Sequence, residues 1–286
     1  MSRIVVTGSK GRLGRSVVDV LAARGHDVDG IDLPDHDLTI AGEADRVLAR
    51  HRPDAVVHLA AIAVPFSRPE AEILRTNVML AFDVCHAAHE AGAATVVVAS
   101  SPTVIGYGSP GGWEPSYLPL DEQHPVAPWH AYAVSKLTVE HIAASLARQL
   151  GARMRLASIR PCFVVAPEDW DGAPTQTGHT VRQRLDDPAL AAVSLFNYVD
   201  ARDVAELIAL LVESSGWANG DVFFAGAPDA LAREPLAELL PRFHPGVRRR
   251  CAASLTGTRP AFDSSKAERV LGWTPRRTWR SEMEVS

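Results

Sequence analysis

Short apolar runs alternate with stretches of helical spacing along the first 160 residues. Residues 3–7 ("RIVVT") are brief and β-branched, a strand pattern. Residues 12–24 put Leu13, Val17, Val20 and Leu21 on one helical face, and Gly25 ends that helix. The alternation continues with a strand at 27–32, a helix at 43–50, a strand at 55–59 and a long helix at 73–91 closed by Gly92. Residues 95–99 ("TVVVA") are continuously apolar, as in a strand covered on both faces. A helix at 131–150 and a strand at 153–159 follow. Such alternation predicts right-handed crossovers and a parallel sheet with helices on both sides. Beyond Pro161 the pattern loosens. Residues 167–178 read as loop, 180–185 as a short helix, 201–213 as a helix capped by Asp200, and 221–224 as a returning strand. The last sixty residues read as a small mixed lobe. The expected division is a large domain over 1–165, helped by about 193–226, and a lobe of 166–192 and 227–286. No linker separates them, so the lobe is expected to pack directly on the sheet.

Composition narrows the classes. The chain has 286 residues, 47% of them hydrophobic, and a formal net charge of −5. Arg248 to Arg250 form the single basic cluster, so a nucleic-acid surface is not expected. No apolar run approaches a membrane span, and the first residues lead straight into a strand without a signal-peptide pattern. Cys85, Cys162 and Cys251 are far apart and unpaired in pattern, which suits reduced thiols in a cytoplasmic protein. His86 and His89 stand three apart without a third ligand, so no metal site is expected.

The chemistry starts at "VVTGSKGRLG". Gly8, Gly11 and Gly14 lie between the first strand and the first helix. Positions without side chains let a backbone approach a pyrophosphate, and the N–H groups of the helix start meet its charge. Gly8 would make the turn, Gly11 permit the approach and Gly14 allow close helix-on-strand packing. Asp32 ends the second strand, 18 residues beyond Gly14. A carboxylate there accepts hydrogen bonds from both ribose hydroxyls of an adenosine and repels a 2′-phosphate, so it favours NAD. Lys10 and Arg12 pull the other way, because either could neutralise that extra phosphate, and NADP stays open as the alternative. The expected architecture is thus a Rossmann-type doubly wound α/β sheet.

Tyr132 and Lys136 in "YAVSK" stand four apart on a helix, hence on one face. A free tyrosine titrates near 10, too high for a base at neutral pH. An ammonium one turn away and an oxidised nicotinamide would stabilise the phenolate, which could then take a proton from a substrate alcohol. Ser100 and Ser101 follow the strand at 95–99. Ligands bind at strand C-termini in such sheets, and a hydroxyl there can orient the substrate oxygen.

These residues together resemble the extended short-chain dehydrogenase/reductase superfamily, the NAD-dependent epimerase/dehydratase family. "TGSKGRLG" looks like its TGxxGxxG loop, "HLAA" at 58–61 like the segment after its third strand, and "SSPTVIG" like its SSxxVYG. "YAVSK", "IRPCFVVAP", "NYVDARDVAEL" and "DSSKAERVLGWTP" fall in the family's order. The resemblance implies catalysis by Ser101, Tyr132 and Lys136. It implies cofactor contacts from Gly8, Lys10, Gly11, Arg12, Leu13, Gly14, Asp32, Leu38, Leu59, Ala60, Ala61, Asn77, Ala99, Ser100, Tyr132, Lys136 and Pro161. Substrate contacts fall to Ser101, Pro102, Thr103, Phe163 and Arg182.

The departures bear on the reaction. Family dehydratases carry acids just after the catalytic Ser/Thr, where Pro102 and Thr103 stand here, so dehydration is not expected. Phe163 takes the place of the asparagine of RPxN that helps seat a substrate nucleotide, and Ile105 the tyrosine of VYG. "ASSPTVIGY" is also similar to uronate dehydrogenases, which oxidise free sugar acids. A sugar acid would want a cation, and Arg160, Arg182 and Arg184 are the candidates. The expected substrate is of carbohydrate type, with epimerisation and net redox both open. A dinucleotide-sensing protein without catalysis is the competing class, and the retained Tyr132 and Lys136 argue against it. Trp113, Trp129 and Trp170 are candidates to stack on a sugar ring. The helices at 73–91 and 131–150 resemble those that pair in family homodimers.

Overall fold

A computed structural model describes residues 1–283; residues 284–286 of the expected lobe lie outside the described residues. The strands are β1 (Arg3–Thr7), β2 (Asp27–Ile31), β3 (Ala55–His58), β4 (Thr95–Ala99), β5 (Arg155–Pro161), β6 (Val164–Val165), β7 (Val199–Asp200) and β8 (Asp221–Ala225). The helices are α1 (Arg12–Ala23), α2 (Glu43–His51), α3 (Glu70–Glu90), α4 (Ala131–Leu150), α5 (Pro167–Trp170) and α6 (Val181–Asp186). They continue as α7 (Pro188–Ala192), α8 (Ala201–Glu213), α9 (Leu236–Phe243), α10 (Arg249–Ala252), α11 (Ser265–Leu271) and α12 (Trp279–Glu282).

Six strands form one sheet in the order β2-β1-β3-β4-β5-β8, every pair parallel. Residue parity sorts their side chains, since alternate positions point to opposite faces. Ile4, Val6, Val57, Val97, Ala157 and Ile159 share a buried core with α1 and α8. Val5, Val56, Val96, Val98 and Leu156 enter a second core with α2, α3 and α4. The sheet is therefore covered on both faces, which explains the unbroken apolar runs 55–57 in β3 and 96–99 in β4.

The chain leaves β1 toward β2 on one side and returns to β3 on the other. That reversal opens a crevice beyond the C-terminal ends of β1 and β3, where such sheets bind ligands. A two-stranded sheet of β6 and β7 stands apart from the main one.

Among the details that differ from expectation, the stretch 167–178 read as loop opens with a helical turn, α5, started by Pro167 and held by Asp169 Oδ2, which accepts the Ala166 N–H at 3.0 Å. Helix α3 starts at Glu70 rather than 73, because Glu70 and Glu72 favour a helix N-terminus although they break the apolar spacing. Strand β5 is shifted two residues, to Arg155–Pro161. The last sixty residues are helical rather than mixed: among those described, only an isolated bridge, Leu120 to Phe262, is extended. That tail is fastened to α8. The Trp273 indole donates to the Asp203 carbonyl at 2.8 Å, and the buried Asp203 carboxylate accepts from the backbone of Arg276 and Arg277 at 2.9 and 2.8 Å.

Candidate active site

One cavity of about 1390 Å³ runs along the C-terminal ends of the parallel strands. At one end lies the turn from β1 to α1. Gly8 adopts φ +71°, and a Cβ there would sit 2.7 Å from the Ala60 nitrogen. A Cβ on Gly14 would sit 2.1 Å from the Gly8 carbonyl oxygen. Neither position admits a side chain. Gly11 is the N-cap of α1 and offers no side-chain oxygen to the first-turn N–H groups, and no acid stands in that turn. Uncapped N–H groups beside a glycine cradle fit a diphosphate.

Asp32 lines the same end. Its two carboxylate oxygens accept the N–H groups of Lys10 and Leu33, each at 2.8 Å, which fixes the acid at the strand terminus. The two cations that could have welcomed a 2′-phosphate are occupied. Lys10 Nζ reaches Asp35 at 2.7 Å and the Leu33 carbonyl at 3.1 Å. Arg12 holds both oxygens of the buried Asp169, at 2.5 and 2.6 Å, and the Pro174 carbonyl. Both engagements favour the ribose diol over the 2′-phosphate at Asp32.

Midway along the cavity lie Ser101, Tyr132 and Lys136. His130 caps α4, its Nδ1 accepting the Ala133 N–H at 3.3 Å. Tyr132 falls in the first turn, and Lys136 one turn on, its Nζ 5.7 Å from the Tyr132 ring centre. Lys136 Nζ donates to the Ala99 carbonyl at 2.9 Å, tying α4 to the end of β4. Burial pushes the Tyr132 phenol up to about 12, and the neighbouring Ser101 hydroxyl opposes the rise. Burial lowers Lys136 to about 8. Ser101 itself caps a single 3-10 turn. Its Oγ accepts the Thr103 N–H at 3.2 Å and the Thr103 hydroxyl at 2.9 Å. Two donors on that oxygen leave the Ser101 proton free to point elsewhere.

A buried network holds these groups from behind. Ser100 Oγ donates to Glu140 at 2.5 Å, and Arg160 grips both oxygens of Glu140 at 2.7 and 2.8 Å. Asn77 bonds the Ile62 N–H and carbonyl and donates to Ser135, whose hydroxyl donates to the Tyr132 carbonyl at 2.7 Å. Buried His58, bonded to Thr7 at 2.8 Å, is lowered to about 3 by burial and then by Lys136, so it stays neutral.

Most of the expected site residues line this one cavity. Lys10, Asn77 and Arg182 do not. Lys10 turns its ammonium to Asp35, Asn77 lies one layer behind the wall, and Arg182 is exposed on α6. Arg160 is locked to Glu140, so it is a structural cation rather than a ligand for a sugar acid. Trp113 and Trp129 line the cavity, whereas Trp170 is packed away, its indole donating to buried Asp200 at 2.7 Å.

The far end is walled by Phe163, Thr177, Ser194 and Asn197, with Phe243 and His244 from the C-terminal helices. Asn197, Thr177, Ser194 and His130 were not singled out from the sequence. His130 alone carried a signal, as the cap position of α4. Here two loops meet. A Cβ on Gly246 would fall 2.1 Å from the Trp113 carbonyl oxygen, and Arg248 pairs with Glu114 at 2.6 Å.

Fold and site together place the chain in the short-chain dehydrogenase/reductase class. The model of the NAD dependent epimerase/dehydratase family matches residues 4–226. The chain belongs to that family and is accordingly an NAD-dependent enzyme. Among curated relatives, a UDP-glucose 4-epimerase of Corynebacterium glutamicum is 24% identical over 96% of this chain and 92% of its own length. A uronate dehydrogenase of Agrobacterium fabrum is 30% identical over 57% of this chain and 62% of its own. Among solved structures, a short-chain dehydrogenase/reductase superfamily protein from Agrobacterium tumefaciens with bound NAD superposes with a TM-score of 0.72. It is 23% identical over 99% of this chain and 95% of that one.

Proposed function

We propose that this enzyme moves hydride between NAD and a secondary alcohol or ketone carbon of a carbohydrate-type substrate. The observation that carries the reading is the convergence of Ser101, Tyr132 and Lys136 on the middle of a cavity whose one end is the glycine cradle and Asp32. The turn of Gly8, Gly11 and Gly14 would hold the diphosphate, and Asp32 the adenosine ribose. Leu13, Leu38, Leu59, Ala60, Ala61, Ala99, Ser100 and Pro161 line the path between. NAD supplies the hydride acceptor and donor when bound. Tyr132 Oη takes the proton of the substrate hydroxyl in oxidation and returns it in reduction. Ser101 donates to the same oxygen, its own Oγ held by Thr103. Lys136, fixed by the Ala99 carbonyl, stabilises the phenolate, and its charge is what offsets a buried tyrosine that otherwise resists ionising.

Neither Pro102 nor Thr103 is an acid, so no group beside Ser101 can expel a hydroxyl as water, which disfavours dehydration. Residues 166–192 and 227–283 would supply part of the substrate wall, through Gln176, Thr177, Ala189, Ala192 and residues 243–246. Leu74, Met79 and Phe82 of α3 and Val134 of α4 are exposed apolar side chains on helices that pack together. We propose that this face pairs in a homodimer, and light scattering showing only a 30.8 kDa species would remove that proposal.

The test of the reaction is absorbance of the reduced cofactor during turnover with sugar acids, free sugars and nucleotide sugars, using NAD and NADP. Net redox changes it stoichiometrically with product, and epimerisation leaves it constant while product forms. No turnover with any of them, despite tight NAD binding, would favour the sensing protein.

A further inference from the structure

Two aromatic rings stand open on the cavity wall near the phenol. Phe66 and Trp129 both line it, 60% and 37% exposed. Phe66 holds φ +61°, a left-handed backbone that bulky residues rarely adopt. Trp129 is fixed by its indole, which donates to the Tyr107 carbonyl at 3.2 Å. The two ring centres lie 5.8 Å apart, and His130 packs against both, 5.2 Å from Phe66 and 4.7 Å from Trp129. Beyond His130 the Tyr132 ring lies nearly parallel to it, at 6.2 Å. A row of rings thus runs from open surface to the phenol. Packing does not account for a strained residue whose ring is left in water, and such outliers gather at ligand sites.

The charged side chains among the described lining residues are Arg12, Asp32, Asp37 and Lys136. The first three belong to the glycine-turn end, where Asp169 holds Arg12 and the N–H and hydroxyl of Thr39 hold Asp37. Lys136 is committed to the Ala99 carbonyl beside the phenol. The remaining wall is built of neutral dipoles, among them Ser101, Thr103, Gln176, Thr177, Ser194 and Asn197. Burial lowers His130 and His244, so both are uncharged at pH 7. Arg184, behind Phe163, is 1% exposed; it is stacked on that ring at 4.0 Å and bonded to the Thr177 and Ser194 hydroxyls, so it presents no donor to the cavity. An anion seated on this wall would shed its water with no counter-charge in reach, which is costly. Hydroxyl groups would exchange water for these dipoles at little loss.

We propose that the substrate is an uncharged sugar or glycoside, with the apolar face of its ring seated on Phe66 and Trp129 and its hydroxyls on the neutral wall, and that sugar acids and nucleotide sugars are turned away. This deepens the hydride-transfer reading above and rests on it. A sugar ring has a face of C–H groups and an edge of hydroxyls, the same division that the wall offers. The seat adjoins Tyr132 through His130, so it holds the ring that carries the reacting carbon.

The experiment titrates the whole protein by calorimetry. NAD goes first. The NAD-saturated protein then receives glucose, galactose and their phenyl glycosides, the matching uronates and phenyl glucuronide, which differ from them only at C6, and UDP-glucose. At least one neutral member is expected to bind about tenfold or more tighter than its acid and than UDP-glucose. Phe66→Gly removes the ring at a backbone angle that glycine adopts freely, so the fold is kept. It should weaken the neutral ligand by about three- to tenfold with NAD affinity unchanged, and Trp129→Ala should do the same. The wild-type preference stands as a test even where Trp129→Ala does not fold. An acid or UDP-glucose bound as tightly as the neutral partner, or no neutral member bound, overturns the proposal. So does a neutral-sugar affinity that Phe66→Gly leaves undiminished. Failure of NAD to bind sinks the hydride-transfer reading instead, and the two failures are told apart at the first titration.

Discussion

The two ends of the cavity recognise by different means. The end proposed for the nucleotide is built mostly of backbone, with N–H groups of a helix start, glycines with no room for a Cβ and strand termini, beside the Asp32 carboxylate. The cations there are already neutralised, Lys10 by Asp35 and Arg12 by Asp169. At the far end the wall is side chains from the link between β5 and β6, the loop before α6 and the segment before β7, with buried Arg184 behind it bonded to neutral hydroxyls. A site made of backbone tolerates change in side chains but not in shape. A site made of side-chain donors is specific to what it meets, because leaving those donors unpaired is expensive. The first end suits a cofactor common to many reactions, and the second a particular substrate.

Four changes would break or sharpen that contrast. Removing the phenol lies between the ends and acts on neither. Tyr132→Phe should lower kcat by about 10²–10⁴-fold with NAD affinity unaltered, in stopped-flow and binding measurements. An effect on NAD affinity of similar size would make Tyr132 a wall residue instead.

Lys136→Met tests the charge. The buried ammonium titrates near 8 against an ordinary 10.5. Below pH 8 folded and unfolded chains are both protonated, and the full penalty of burying the charge is present. Between 8 and 10.5 the unfolded chain keeps a proton the folded chain has released, so stability rises with pH, and above 10.5 the penalty is gone. The variant should therefore be more stable by roughly 2 kcal/mol at pH 7, after losing the bond to Ala99, and lose that advantage by about pH 10.5. Denaturant melts at the two pH values read it directly. An inactive variant of this kind would show a catalytic charge held against the interest of stability.

Asp32→Ala should weaken NAD by about tenfold and narrow its margin over NADP. NADP overtaking outright is not expected, since Lys10 and Arg12 are engaged. Thr103→Val is the mildest: a loss of a few-fold in kcat at unchanged KM, restored by Thr103→Ser, because one neutral hydrogen bond to Ser101 is removed. A change in KM alone would make Thr103 a substrate contact rather than a positioning residue.

The same contrast governs what could be read in the sequence. Gly8, Gly11, Gly14 and Asp32 are legible because backbone geometry imposes residue types at fixed spacing. Tyr132 and Lys136 are legible because a helical turn sets theirs. The sheet follows from apolar runs that must be covered on both faces. The Phe163–Arg184–Asn197 wall has no such period. Its members are 13 to 34 residues apart and meet only through packing of a lobe whose short helices carry weak patterns. Arg160 and Arg184 look alike as letters. What separates them is the partner, the Glu140 carboxylate for one and the Thr177 and Ser194 hydroxyls for the other, and partners are a tertiary property. Glu140 lies one turn beyond Lys136, so its inward face could have been read, though not which arginine would meet it.

The seam between Gly246 and Trp113 has its own bearing on how this enzyme could be remodelled. Two loops from distant parts of the chain close the rim by touching main chain to main chain, without a side chain that could simply be trimmed. Widening the mouth for a bulkier guest would require lengthening both in concert, because a change to either alone drives it into the other.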